Sequence, residues 1–112
     1  MQKLFVVILM PFDSSSDDIY NHVIKAVCEE AGAYCERVDQ EMFGEGTLDR
    51  IYNQISKADL VIADLSGRNP NVFYEIGYAQ ALCKQVILLS KTTKDIPFDL
   101  KHYNVLYALA CK

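Results

Sequence analysis

Three short stretches, Lys3–Met10, Asp59–Asp64 ("DLVIAD") and Gln85–Ser90 ("QVILLS"), are apolar throughout their middles and rich in Val, Ile and Leu. No other feature constrains the fold as much. A strand with no polar face must be covered on both sides, and that is the habit of parallel sheets. Segments with helical periodicity lie between these runs. Ser14-Ser15-Ser16-Asp17-Asp18 supplies cap candidates and first-turn acids. Ile19, Val23 and Val27, with Ala26 beside them, then form a stripe that stops at Gly32. Tyr34–Val38 reads as a second strand and Glu41–Gly46 as a loop. Thr47 caps a predicted helix over Leu48–Lys57, with Leu48, Ile51, Tyr52 and Ile55 on one face. The Gly67–Asn71 loop leads into a predicted helix over Val72–Lys84. A longer connection, "KTTKDIPFDLKH", precedes a fifth strand in "YNVLYAL".

Short strands alternating with longer helices define βαβ units. The fold expected is α/β, a three-layer sandwich around a four- to five-stranded parallel sheet in the flavodoxin-like order 2-1-3-4-5. The 112 residues suit one domain spanning 1–112, and they contain no internal repeat or low-complexity segment.

Composition narrows the partners. A net charge of −4 argues against nucleic acid and against an anionic membrane surface, since both demand a basic stripe. Small anionic ligands need only local donors. Cys28, Cys35, Cys83 and Cys111 form no CxxC pair and no metal spacing, so reduced, mostly buried thiols in a cytoplasmic protein are expected. The opening apolar run is too short to span a bilayer, and Pro11-Phe12-Asp13 stands where a signal cleavage site would lie. Neither GxGxxG nor GxxxxGK[ST] occurs, and no cofactor or metal is expected.

Open α/β sheets bind ligands beyond the carboxyl ends of their strands, at the switch between strands one and three. The segments due to meet there are Met10–Ser16 and Asp64–Glu75. In the first, Met10, Pro11 and Phe12 lead to Ser14 and Ser15, whose hydroxyls and amides suit an anion or simply cap the helix. In the second, Arg68 pairs an anion or stays solvated. Asn69 and Asn71 donate to a ligand oxygen, or shape the turn and cap. Tyr74 stacks on a base or packs in the core.

Glu75 is the one ionised side chain in the Val72–Cys83 run. With Asn71 as N-cap it falls at the end of the first helical turn, where the helix dipole favours a carboxylate. It serves there as a dipole acid reaching solvent, or as a functional group kept in spite of its burial cost. Gly77, two residues on, is expensive inside a helix and suggests close packing or ligand approach.

"ADLVIADLSGRNPNVFYEIGYAQALCKQVILL" resembles the core of the nucleoside 2-deoxyribosyltransferase-like superfamily, and its pattern centres on Glu75-Ile76-Gly77-Tyr78-Ala79. The opening "FVVILMPF" and the late "DIPFDLKHY" are similar to TIR-like relatives of the same broad group, several of them in bacterial defence. The resemblance implies that Glu75 attacks the anomeric carbon of a ribosyl group and that Asp64 binds ribose hydroxyls, though Asp64 serves equally as a turn residue. It also implies a small-molecule nucleoside, nucleotide or NAD-like substrate, a pocket including Tyr78, and a homodimer. The sequence departs from the relatives in one place. Nucleotide N-glycosidases of the group carry an aspartate where this chain has Ile51, and Asp49 is the nearest acid. Three readings follow: an enzyme of N-glycosidic bonds, a TIR-like binding or signalling module without turnover, and a flavodoxin-like response or scaffold domain. The last leaves Glu75 without a use.

Overall fold

The computed structural model describes residues 3–11, 14–37, 47–90 and 105–107. Five strands, β1 (Phe5–Leu9), β2 (Tyr34–Arg37), β3 (Leu60–Asp64), β4 (Val86–Ser90) and β5 (Val105–Tyr107), lie in the order β2-β1-β3-β4-β5. All four pairings are parallel, so the sheet has the predicted class and order. The registers Leu9↔Ala63 and Asp64↔Leu89 bring the carboxyl ends of β1, β3 and β4 to one rim. Lys3 and Leu4, expected in the first strand, are exposed ahead of it.

Alternation along β1 divides the interior into two parts. Val7 and Leu9 pack with Val61 and Ala63 of β3, beneath α3 (Thr47–Lys57) and α4 (Pro70–Ala81). Ile51 and Ile55 are the buried residues of α3 in this core, and Val72, Ile76 and Ala79 those of α4. Val6, Ile8 and Met10 point to the opposite face and meet Ile24 and Cys28.

The helical segment after β1 departs from expectation. It runs from α1 (Ser14–Ile19) through a π-helical stretch, Tyr20–Ile24, into α2 (Lys25–Glu30). The Lys25 amide donates to the Tyr20 carbonyl, five residues back. A π-turn holds an extra residue, and one residue of offset rotates everything after it by about 100°. The buried positions are therefore Ile24 and Cys28, whereas Val23 and Val27 of the predicted stripe are 54% and 58% exposed.

Two helix ends share one design. After α2, Gly32 takes a φ of 75°, its amide donates to Glu29 O and that of Ala33 donates to Cys28 O. After α4, Cys83 takes a φ of 59°, its amide donates to Gln80 O and that of Lys84 donates to Ala79 O. Both are Schellman closures, with bonds from C″ to C3 and from C′ to C2. α4 thus ends at Ala81, short of the predicted Lys84, and the closing turn puts Cys83 on the surface rather than among buried thiols.

Side chains lock the amino-terminal side of the sheet. The Phe5 amide donates to Asp59 Oδ2 and the Asp59 amide to Phe5 O, both at 2.8 Å, which extends the β1–β3 ladder with a side chain. Lys84 Nζ donates to Ser56 O at 2.8 Å and Ala58 O at 3.0 Å, satisfying carbonyls at the end of α3. Among the described residues, no helix is long and apolar enough to cross a membrane. The predicted Glu41–Gly46 loop, the 91–102 connection and Cys111 lie outside the described residues.

Candidate active site

The link from β3 to α4 is built from turn chemistry. Asp64 closes β3 and accepts the Ser66 amide on Oδ1 at 2.9 Å, which bends the chain off the sheet. A single 3₁₀ turn, Ser66–Arg68, follows, with Gly67 at φ 78° and Arg68 at φ 53°. Arg68 is exposed, and a left-handed arginine stores backbone strain in this loop.

Asn69, not Asn71, is the N-cap of α4. Its Oδ1 accepts the amides of Asn71 at 2.9 Å and Val72 at 3.3 Å. Pro70 explains the choice, because a proline at the first helical position has no amide to leave unsatisfied and a φ already set for the helix. Glu75 consequently stands in the second turn of α4 rather than at the end of the first. Asn71 is exposed.

The two acids of the segment are both buried, Asp64 at 5% and Glu75 at 3% exposure. Ser90, at the end of β4, is fully buried on the same rim. A carboxylate this deep is costly unless other groups hold it, so the solvent-reaching dipole acid is not what the fold contains. The other expected site residues divide. Met10 is core, packed with Val6, Ile8, Ile24 and Cys28. Pro11 is buried, and its carbonyl accepts from Arg37. Ser14 and Ser15 open α1 by their backbone, and Phe12 lies outside the described residues. Tyr74 is 64% exposed, and Tyr78 is half-buried.

Gly77 differs from expectation. It is exposed, and a Cβ built there would meet nothing within 4 Å, so it does not serve close packing of α4 on the sheet.

Two residues gain importance that the sequence did not give them. Arg37, at the carboxyl end of β2, donates to Asp17 Oδ1 and to Pro11 O, each at 2.5 Å, and its guanidinium lies 5.7 Å from the Tyr20 ring centroid. It therefore ties the exit of β1 to the start of the helical segment. Its signal was a base at the end of a strand. Tyr52 of α3 stacks on Tyr78 with centroids 4.3 Å apart and lies 6.3 Å from the Tyr74 ring. A hydrogen bond to Tyr74, followed by burial and the charges of Tyr74, Tyr78 and Glu75, holds the Tyr52 phenol up at about 12. Its signal was the four-residue spacing of Tyr74 and Tyr78. Ile51, the position at which the resemblance implied an aspartate, is 5% exposed inside the core, and Asp49 is exposed on α3. Among the described residues, no group of three or more His, Cys, Asp or Glu side chains is placed to hold a metal.

No protein-family model and no curated protein sequence matches the chain. Solved structures do. A 2-deoxyribosyltransferase from Leishmania mexicana is 23% identical with a TM-score of 0.70, over 89% of this chain and 71% of that one. The 2-deoxyribosyltransferase of Bacillus psychrosaccharolyticus is 16% identical with a TM-score of 0.73, over 92% and 84%. A CMP N-glycosidase from Clostridium botulinum is 24% identical with a TM-score of 0.68, over 96% and 90%. The chain shares the fold of these two 2-deoxyribosyltransferases and of the CMP N-glycosidase.

Proposed function

We propose that the chain is a single-domain enzyme that cleaves or transfers the N-glycosidic bond of a nucleoside, a nucleotide or an NAD-like dinucleotide. One observation carries the reading: Glu75, in the motif that resembles the deoxyribosyltransferases, is buried at the second turn of α4 instead of reaching solvent. The shared fold with two 2-deoxyribosyltransferases and a CMP N-glycosidase supports it.

In this reading a Glu75 carboxylate oxygen bonds to the anomeric carbon as the carbon–nitrogen bond breaks, and the bonding pair leaves with the base, which takes up a proton. Positive charge on the sugar is greatest midway, and a preplaced carboxylate stabilises it. Water then opens the glycosyl ester in a hydrolase, or a second base does so in a transferase. Asp64 holds ribose hydroxyls. Arg68, Asn69, Asn71, Tyr74 and Tyr78 contribute to the pocket, with Pro11, Ser14 and Ser15 from the segment after β1. The enzyme acts as a cytoplasmic homodimer.

The rival reading, a TIR-like module that binds without turnover, draws on Ile51, which leaves α3 with a core residue where the relatives carry an acid. It gains no support from the structural likenesses. Incubation with deoxynucleosides, deoxynucleoside monophosphates and NAD, followed by chromatography for free base, separates the two. Base release that disappears in Glu75→Gln supports the enzyme. No release, with nucleotide binding retained in a thermal-shift assay, leaves the binding module.

A further inference from the structure

Glu75 lies between two tyrosines of its own helix, Tyr74 just before it and Tyr78 three residues after. Both meet one residue of the neighbouring helix. The Tyr52 ring lies nearly parallel to that of Tyr78, with an interplanar angle of 24° and centroids 4.3 Å apart, while Tyr74 lies tilted at 6.3 Å. Ile51, its neighbour in α3, faces the core, so at this level α3 offers Tyr52 as its polar group toward α4.

We propose that Tyr52 is a positioning residue for Glu75: its ring stacks on Tyr78 and its hydroxyl engages Tyr74, so the two tyrosines that bracket Glu75 are clamped to α3. A helix held at two points four residues apart resists both rotation about its axis and sliding along it. This proposal rests on the catalytic reading of Glu75. A carboxylate that attacks a carbon works only from about 3–3.5 Å, and a misplacement near 1 Å costs on the order of a hundredfold. The stack and the hydroxyl contact therefore act on rate through geometry, without touching the substrate. The upward shift of the Tyr52 phenol, caused first by Tyr74 and least by the Glu75 charge, agrees with the grouping that the ring contacts define.

Two substitutions separate the parts. Tyr52→Phe keeps the ring and removes the hydroxyl, whereas Tyr52→Leu removes both. Steady-state kinetics of base release is one readout. The other is the titration of the Glu75 carboxyl by NMR of ¹³C-glutamate-labelled protein, assigned with Glu75→Gln. The expected result is a kcat lowered about tenfold in Phe and about a hundredfold in Leu, with KM within about twofold of wild type. The Glu75 midpoint moves by about half a unit or more in both. Folded variants with a wild-type Glu75 midpoint overturn the proposal. A shifted midpoint in a wild-type protein that releases no base means the catalytic reading has failed while the clamp stands. If Leu does not fold, Phe carries both readouts.

Discussion

Cys83 holds a φ of 59° at the end of α4, in the place that Gly32 occupies with a φ of 75° at the end of α2. The two turns make the same pair of hydrogen bonds, but only one has the residue that adopts this backbone without strain. A left-handed residue with a Cβ costs about 1–2 kcal/mol, part of which glycine gives back in unfolded-state entropy. Cys83→Gly should therefore stabilise the protein by about 0.5–1 kcal/mol, and Gly32→Ala should destabilise it by about 1 kcal/mol or more. Urea titrations of both variants measure this. A loss of stability in Cys83→Gly would contradict the argument.

Gly77 makes the opposite case. It sits in mid-helix with open space around its α-carbon, so nothing in the described fold requires its lack of a side chain. Gly77→Ala should add about 0.8–1.0 kcal/mol, the helix-propensity difference. A destabilised variant would mean that something outside the described residues packs against it.

Lys84 links the end of α4 to the end of α3 through the carbonyls of Ser56 and Ala58. Lys84→Met keeps most of the aliphatic stem and removes the charged donor. It should cost about 1–2 kcal/mol, since charge-assisted bonds exceed neutral ones and the ammonium also faces a helix carboxyl terminus. Removing the cap in Asn69→Ala should cost about 0.5–2 kcal/mol by denaturation and should also loosen the turn that places Glu75.

Glu75→Gln is nearly isosteric and removes the nucleophilic oxygen. Base release should fall by roughly a thousandfold or more, with the fold retained by circular dichroism. Undiminished release would remove Glu75 from the chemistry.

Alkaline pH tests the second core. Burial, then the neighbouring Cys35, pushes the Cys28 thiol up to about 11 and the Tyr20 phenol up to about 12. Both values lie above the ordinary ones, so the folded state holds these protons longer than the unfolded chain does. Their contribution is complete below the unfolded values and drains away between about pH 9 and 12, so stability must fall as pH rises through that window. Denaturation at stepped pH should show this decline, and the paired change Cys28→Ala with Tyr20→Phe should flatten it.

The sheet could be read from the sequence because β1, β3 and β4 are apolar without interruption, and only a doubly covered strand needs that. That Asp64 ends β3 and Glu75 lies in the helix that follows came from the order of the elements. Finer features depended on competition that periodicity does not register. Asn69 and Asn71 are equally good caps, and Pro70 between them decides. The Ile19–Val23–Val27 stripe assumes a regular helix, but one π-turn exchanges those valines for Ile24 and Cys28. Tyr52 on an apolar helix face reads as core, and its partnership with Tyr74 and Tyr78 exists only once α3 and α4 lie side by side.

Val7 and Ile8 are covalent neighbours that belong to different interiors, one beneath the helices that carry Tyr52 and Glu75, the other against Ile24 and Cys28. The sheet thus acts as a partition. Sequence drift at Ile24 and Cys28 can remodel their own compartment, separated from Ile51, Val72 and Ile76 by the strands between them. Under the proposed function the two faces are therefore free to diverge at different rates, the one with Tyr52 and Glu75 held to the geometry of a site, and Ile24 and Cys28 on the other held to the filling of space.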